Sequence, residues 1–445
     1  MFQRLLIANR GEIAVRIART AARMGIETHA IFSDADADAL HVRSADAATN
    51  IGPSPVADSY LNIAAIVDVA AASGCDAVHP GYGLLSENAD FAAACAERGI
   101  VFVGPASEHL ALMGHKNRAR EAMEKIGFPV IPGTSGDLDD DALEEIAAGI
   151  GYPLFVKASH GGGGIGMSVV DDPAKLARAV KRARSTARRS FGSSELYFEK
   201  QVLGAHHVEV QVLGLPDGST RHLGTRECSV QRRHQKVIEE SPAPAAPGAL
   251  GLEISERAAA AVEKLGYRNV GTVECLLGAD GEYYFIEMNT RLQVEHPVTE
   301  MVTGLDLVEL QLRIAAGETP DLPADAQEPS GHAIEVRLYA EDPDSLLPAP
   351  GVIDQLEFPS GDGIRVDSGL IAGDEVSQFY DPMIAKLIVW AEDRPAALTR
   401  LGDALAAVQI SGTRTNLAFL RRIVDTAAFV EGRYDTQLVD RLLQS

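Results

Sequence analysis

Two glutamates and an asparagine fall in one stretch, GTVECLLGADGEYYFIEMNTRLQVEHP, which reads as a β-hairpin turning at Asp280-Gly281. A two-residue turn there sets Glu274 directly opposite Glu287, with Asn289 two residues further along the same face. Directly opposed like charges destabilise a ladder. A cation between them removes the conflict, and hard oxygen ligands of this kind suit Mg²⁺ or Mn²⁺ bridging nucleotide phosphates. If the extended course continues, Arg291, Gln293 and Glu295 keep the parity of Glu287 and Asn289. The result is one polar row: metal ligands, then a cation, an amide and a carboxylate. The competing reading is a longer turn, a slipped register and two solvated carboxylates.

A second chemical feature is YPLFVKASHGGGGIGMSVV, where a strand carrying Lys157 precedes Gly161, Gly162, Gly163, Gly164 and Gly166. Consecutive glycines let backbone N–H groups approach an anion without Cβ obstruction. The loop leads to a strand, so it fits neither the P-loop nor the dinucleotide fingerprint, which need a helix N-terminus. By itself it is also compatible with a flexible hairpin connection. QRRHQK (residues 231–236) gathers cations for an anion, or forms a basic surface patch. HVEVQV (residues 207–212) alternates Val208, Val210 and Val212 with His207, Glu209 and Gln211, as a sheet with one solvated face also would. The basic residues are 9 Lys against 31 Arg, together 40. Where Lys is scarce, the survivors mark positions needing a compact point charge, and Lys116, Lys157, Lys200 and Lys236 are noted on that ground.

Several elements must hold these groups in place. RLLIA, the turn Asn9-Arg10-Gly11 and the helical spacing of EIAVRIARTAARMG to Gly25 make a strand, a turn and a helix. ETHAIF, CDAVHP and IVFVGP continue the alternation to about residue 105, which argues a parallel sheet covered on both faces. The stretch FPVIPGTSGDLDDD (residues 128–141) reads as a loop or linker. Alternating strands follow, and from IEVRLYAEDP a third region of mixed strands and turns ends in the helical TNLAFLRRIVDTAAF. With 445 residues, two to four domains are expected. The net charge of −23 argues against non-specific nucleic-acid binding. No apolar run reaches membrane-spanning length, and the four cysteines lack metal or disulfide spacing. The start reads as a mature cytoplasmic N-terminus.

Taken together, IANRGEIA, HPGYGLLSEN, SVQRRHQKVIEE and FIEMNTRLQVEHPVTEM resemble the signatures of biotin carboxylases, from the first residue essentially to the last. The resemblance implies an ATP-grasp fold between an N-terminal parallel-sheet α/β domain and a C-terminal mixed domain, an α/β and α+β chain. Its segments would be 1–114, 115–330 with a mobile lid at about 131–203, and 331–445. The implied activity is ATP- and bicarbonate-dependent carboxylation of biotin through carboxyphosphate, the first half-reaction of an acetyl-CoA or other acyl-CoA carboxylase. ATP would be held by Lys116, Lys157, the glycines of the loop, Glu199, Lys200, Val202, His207, Gln231, His234 and Leu276. Two Mg²⁺ or Mn²⁺ ions would lie at Glu274, Glu287 and Asn289. Bicarbonate would lie at Lys236, Arg291, Gln293, Val294 and Glu295, and the biotin ureido group at Arg337. The catalytic set is Glu295 as general base with Arg291, Lys236 and Arg337. No AMKM-type biotinylation motif occurs, so biotin is expected on a separate carrier protein, with a separate carboxyltransferase.

Ile165 and Ser168 stand where this family usually has basic residues, which would loosen the grip on phosphate. His160 occupies a variable position. Arg23 and Asp362 replace acidic and aromatic residues at the surface where a bacterial member forms a homodimer, which puts that dimer in question here. Two other readings compete: an ATP-grasp ligase joining a carboxylate to an amine, and a nucleotide-binding regulatory subunit without turnover.

Overall fold

The computed structural model describes the chain apart from residues 135–137, 139–141, 159–166, 192–193, 234, 324–327, 344 and 445. The glycines of the loop, with His160 and Ile165, lie outside the described residues, as does His234. The chain divides into two compact units, one of residues 1–119, 206–274 and 287–445, the other of residues 120–205 and 275–286.

The larger unit begins with a five-stranded sheet in the order Ala47–Asn50, Glu27–Phe32, Arg4–Ile7, Ala77–His79, Val101–Phe102, paired parallel throughout. Parallel strands need crossover connections, and the helices Gly11–Arg23, Leu40–Ser44, Ile63–Ala72 and Ala89–Glu97 lie in them. Both faces are therefore buried, as continuous apolar strands require. Leu6, Ile31 and Val78 pack with Ile66 and Phe91 on one face, and Leu5, Ile7 and Ala77 with Ile13 and Ile17 on the other. The first helix ends two residues before Gly25, whose φ of +72° suits glycine at a helix terminus.

An eight-stranded sheet follows. Its order is Tyr283–Asn289, Asn269–Leu277, His206–Gly214, Thr220–Arg232, Gln235–Ser241, His332–Tyr339, Met383–Ala391, Ile364–Ser368. From His206–Gly214 onward every neighbouring pair is antiparallel. The strand His332–Tyr339, expected to open a third region, is thus hydrogen-bonded to Gln235–Ser241 from the middle of the chain. Its eight residues are all buried. Ile334, Val336 and Leu338 face a core with Leu401 and Leu405 of the helix Arg394–Ala407. The opposite face is covered by the helix His296–Thr303, through Val298 and Val302 against Ala333 and Ile388.

The smaller unit has a three-stranded sheet, Ser168–Val170, Leu154–Ala158, Leu196–Lys200, with the helices Leu143–Ile150 and Leu176–Phe191 contributing to its core. Leu154–Ala158 and Ser168–Val170 pair antiparallel, so the glycine run links two strands, as its sequence context indicated. TNLAFLRRIVDTAAF forms two short helices, Leu417–Val424 and Ala427–Val430.

Candidate active site

The strand His206–Gly214 is buried from His207 to its end, so its polar stripe does not face solvent. A second layer covers it, and charges placed there must be paired. Glu209 accepts from Arg226 Nε at 2.5 Å and from Lys236 Nζ at 2.7 Å. Arg226, wholly buried, spends its remaining donors on Gln211 Oε1 (2.7 Å), Thr299 Oγ1 (2.9 Å), Thr272 Oγ1 (3.1 Å) and Gln293 Oε1 (2.6 Å). A guanidinium so fully engaged cannot also hold substrate. It locks the neighbours that can.

Lys236 stands at the centre of the cluster. Besides Glu209 it donates to Glu274 Oε1 at 3.0 Å and Glu295 Oε1 at 2.6 Å. Asn289 Nδ2 (2.8 Å) and Gln293 Nε2 (2.7 Å) also donate to Glu274 Oε1, while His207 Nε2 lies 3.0 Å from Oε2. Burial works against both charges, yet the neighbouring cations hold Glu274 well below the usual carboxylate range and the anions raise Lys236. Glu295 is also held down: burial opposes its charge, and Lys236, Arg337 and Arg226 outweigh burial. Gln231 places its side-chain amide 2.9 Å from His207 Nδ1.

The hairpin differs from the expected one. Gly281 N donates to Gly278 O and Gly278 N to Glu282 O, closing a three-residue loop with Gly281 at φ +83°. A left-handed glycine in the third position makes the loop one residue longer than the two-residue turn. The alternation is then broken again between Phe285 and Met288, both of which are buried. Glu287 still feels Glu274: burial and then the charge of Glu274 push it above the usual carboxylate range, against Lys116 at 3.7 Å. Two carboxylates in such conflict, with the Asn289 amide alongside, are a donor set that a divalent cation fits.

The polar row does not run as an extended strand. The strand ends at Asn289, and a helix starts at His296, with Pro297 in the first turn where no N–H is needed. Thr290 N is tied to Glu87 Oε1 at 3.1 Å, and Arg291 Nε to Glu87 Oε2 at 2.8 Å. This compact turn still brings the expected residues together. Arg291 reaches Asn289 Oδ1 (2.7 Å), Gln293 and Glu295 join the Lys236 cluster, and Val294 O accepts from Lys386 Nζ (2.7 Å).

Arg337 Nη2 lies 3.0 Å from Glu295 Oε2 and 2.5 Å from Glu239 Oε1, and its Nε has no hydrogen-bond partner among the described residues. On the smaller unit, Lys157 pairs with Glu199, and Lys200 Nζ donates to Tyr152 O at 3.0 Å. Val202 follows the strand that carries Glu199 and Lys200, and Leu276 is half-buried on Asn269–Leu277.

Sequence reasoning passed over Arg226, Glu239, Glu335 and Lys386. Lys386 had a signal, since it is one of the nine lysines and sits in an apolar strand. It is fully buried, 3.1 Å from Glu12. Arg226, one of 31 arginines, had none.

Comparison with known proteins accords with this geometry. Residues 1–110 match the family model "Biotin carboxylase, N-terminal domain", residues 115–322 "Carbamoyl-phosphate synthase L chain, ATP binding domain", and residues 335–441 "Biotin carboxylase C-terminal domain". A biotin carboxylase of Halalkalibacterium halodurans is 49% identical, covering 100% of this chain and 98% of its own length. Among solved structures, the biotin carboxylase–β,γ-ATP complex from Campylobacter jejuni is 43% identical with a TM-score of 0.92 over 99% of both chains. The biotin carboxylase domain dimer of Hydrogenobacter thermophilus 2-oxoglutarate carboxylase, in complex with MgADP, ADP and bicarbonate, is 42% identical with a TM-score of 0.91 over 99% of this chain and 98% of that one. Among the described residues, no helix is long and apolar enough to cross a membrane. With matching models along its length, near-half identity and a shared fold, this chain belongs to the biotin carboxylase family.

Proposed function

We propose that the chain carboxylates biotin with ATP and bicarbonate, that Glu295 is the general base for bicarbonate, and that Arg337 receives the biotin ureido group. The observation that carries this reading is the Lys236–Glu295–Arg337 chain of contacts, 2.6 Å and 3.0 Å, ending in a buried guanidinium with an unpartnered Nε. Bicarbonate is an anion and needs cations already aimed at it. Lys236 and Arg291, with the Gln293 amide and the Val294 backbone, are read as its seat.

Glu295 is ionised, as a base must be, but its cationic neighbours make it a weak one. A bicarbonate that draws on Lys236 returns basicity to Glu295 at the moment when its proton must leave. The resulting carbonate attacks the γ-phosphorus of ATP, displacing ADP and giving carboxyphosphate, which breaks down to CO₂ and phosphate. Phosphate takes the ureido proton, Arg337 stabilises the enolate-like oxygen, and the ureido nitrogen attacks CO₂ to form the new C–N bond. Glu274, Glu287 and Asn289 would hold Mg²⁺ or Mn²⁺, which when bound neutralises phosphate charge.

The nucleotide contacts implied by family resemblance are Lys116, Lys157, Glu199, Lys200, Val202, His207, Gln231 and Leu276. Residues 1–114, 115–330 and 331–445 are read as the three functional segments. Biotin is read as arriving on a separate carrier protein, with a separate carboxyltransferase, in the cytoplasm. The test is ATP hydrolysis by the purified chain with bicarbonate, with and without free biotin. Bicarbonate-dependent turnover stimulated by biotin is expected. ATP binding without turnover would replace this reading with a regulatory one.

A further inference from the structure

Beside Arg337 lie two glutamates with no role in the reaction as described. Glu239 and Glu335 are directly opposite each other where Gln235–Ser241 pairs with His332–Tyr339. Neither side chain is exposed at all, and none of their four carboxylate oxygens has a hydrogen-bond partner among the described residues. Arg337 Nη2 comes within 2.5 Å of Glu239 Oε1 as an ion-pair contact off the hydrogen-bond line.

The charges around the pair are Lys236 on the strand of Glu239, Arg337 on the strand of Glu335, Lys386 on the next strand, and Glu295 before the covering helix. Lys386 is already matched by Glu12, and Lys236 by three carboxylates. His296, at the start of the covering helix, is kept neutral by burial. Tyr82 and Tyr339, also close by, are raised by burial and stay neutral. Only part of the charge of Arg337 is left over. It can balance one further anion, not two.

We propose that Glu239 and Glu335 hold a single proton between them and, as a half-charged pair, position Arg337 for biotin and supply the counter-charge that Glu295 gives up when it takes the bicarbonate proton. Two carboxylates opposed across a ladder stand about 5 Å apart at Cβ, and in a buried site they cannot both ionise. Burial pushes Glu239 up to about 7 against the pull of Arg337, and raises Glu335 well above the usual range. With Glu335 protonated, Glu239 is the member that ionises, and it gives Arg337 Nη2 a second carboxylate besides Glu295. Protonation of Glu295 then removes one counter-charge of Arg337 without releasing the guanidinium from its place. Glu239 and Glu335 are positioning residues, and the inference rests on the assignment of Arg337 to the ureido group.

Infrared difference spectra of the substrate-free full chain test the shared proton directly. At about pH 8 wild type should show a protonated-carboxyl C=O band that E335Q lacks, because Glu335 is the member that keeps its proton once Glu239 has ionised. A band absent from wild type, or unchanged in E335Q, overturns the proposal. Kinetics test the positioning: E239Q should raise KM for free biotin about ten-fold and E335Q less than about two-fold, the former having lost a charged contact. E239Q should also lose an ionisation near neutrality from the pH profile of kcat/KM for biotin, and E335Q should keep it. Equal KM values in both variants with an unaltered profile in E239Q overturn the positioning role. Should E239Q fail to fold, the E335Q spectrum and profile decide alone. The spectrum needs no substrate, so a band that vanishes in E335Q on a chain that biotin fails to stimulate upholds the shared proton and sinks the biotin assignment instead.

Discussion

Lys236 donates to three carboxylates at once, so any change at this cluster alters the charge of a buried group with few other partners. Glu295 is the member whose loss separates chemistry from binding. Glu295→Gln keeps the shape and a contact to Lys236 but cannot accept a proton, and bicarbonate-dependent ATP turnover should fall about 10²–10⁴-fold, the usual worth of a positioned base. Nucleotide titration should show ATP binding retained. Wild-type turnover in this variant would remove Glu295 from the base role. At this scale the sequence was informative where a residue type was rare: lysine scarcity marked Lys236. It was silent on Arg226, whose importance comes from what folds around it. Parity grouped Asn289, Gln293 and Glu295 correctly, although the chain brings them together through a turn at Thr290 and Arg291 and not by continuing the strand.

At the scale of elements, Asp306 shows how one side chain fastens a helix to its surroundings. It caps Leu307–Ala315 by accepting from Glu309 N at 2.9 Å, and it receives Arg16 Nη2 at 2.9 Å. Burial raises its pKa, but Arg16 more than offsets this and leaves it lowered to about 2. A carboxylate depressed in the folded state stabilises the fold above its unfolded value, near 3.9, and that stability disappears as pH falls from there through the folded value. Asp306→Asn, which keeps a cap but loses the ion pair, should therefore cost about 2 kcal/mol at neutral pH. Urea unfolding should show the gap from wild type shrinking between about pH 5 and pH 1. A gap independent of pH would mean that the capping hydrogen bond, and not the charge, is what matters. Strands and helices of the first hundred residues were legible because apolar runs and helical spacing alternate cleanly. The three-residue loop at Ala279–Gly281 was not, since Asp-Gly serves a two-residue turn and a left-handed third position equally well.

Over the whole molecule, a net charge of −23 surrounds a site built to receive anions. The two fields differ in reach. Screening shortens from about 30 Å at 0.01 M salt to about 10 Å at 0.1 M, so added salt first removes the long-range repulsion and leaves close contacts intact. kcat/KM for nucleotide should accordingly rise over that range, as steady-state rates at varied ionic strength would show. A fall would mean that local cations govern the approach. Family membership was legible in the sequence because its motifs are long and specific. The sheet that joins residues 235–241 to residues 332–339 was not, because hydrogen bonds between strands about a hundred residues apart leave no local pattern. That sheet makes the chain a candidate for splitting. Expressed as separate polypeptides 1–330 and 331–445, each fragment would carry a raw, apolar edge complementary to the other's. Made together they should copurify as one particle, and made apart each should aggregate, as two halves of a zip fastener that has no stop.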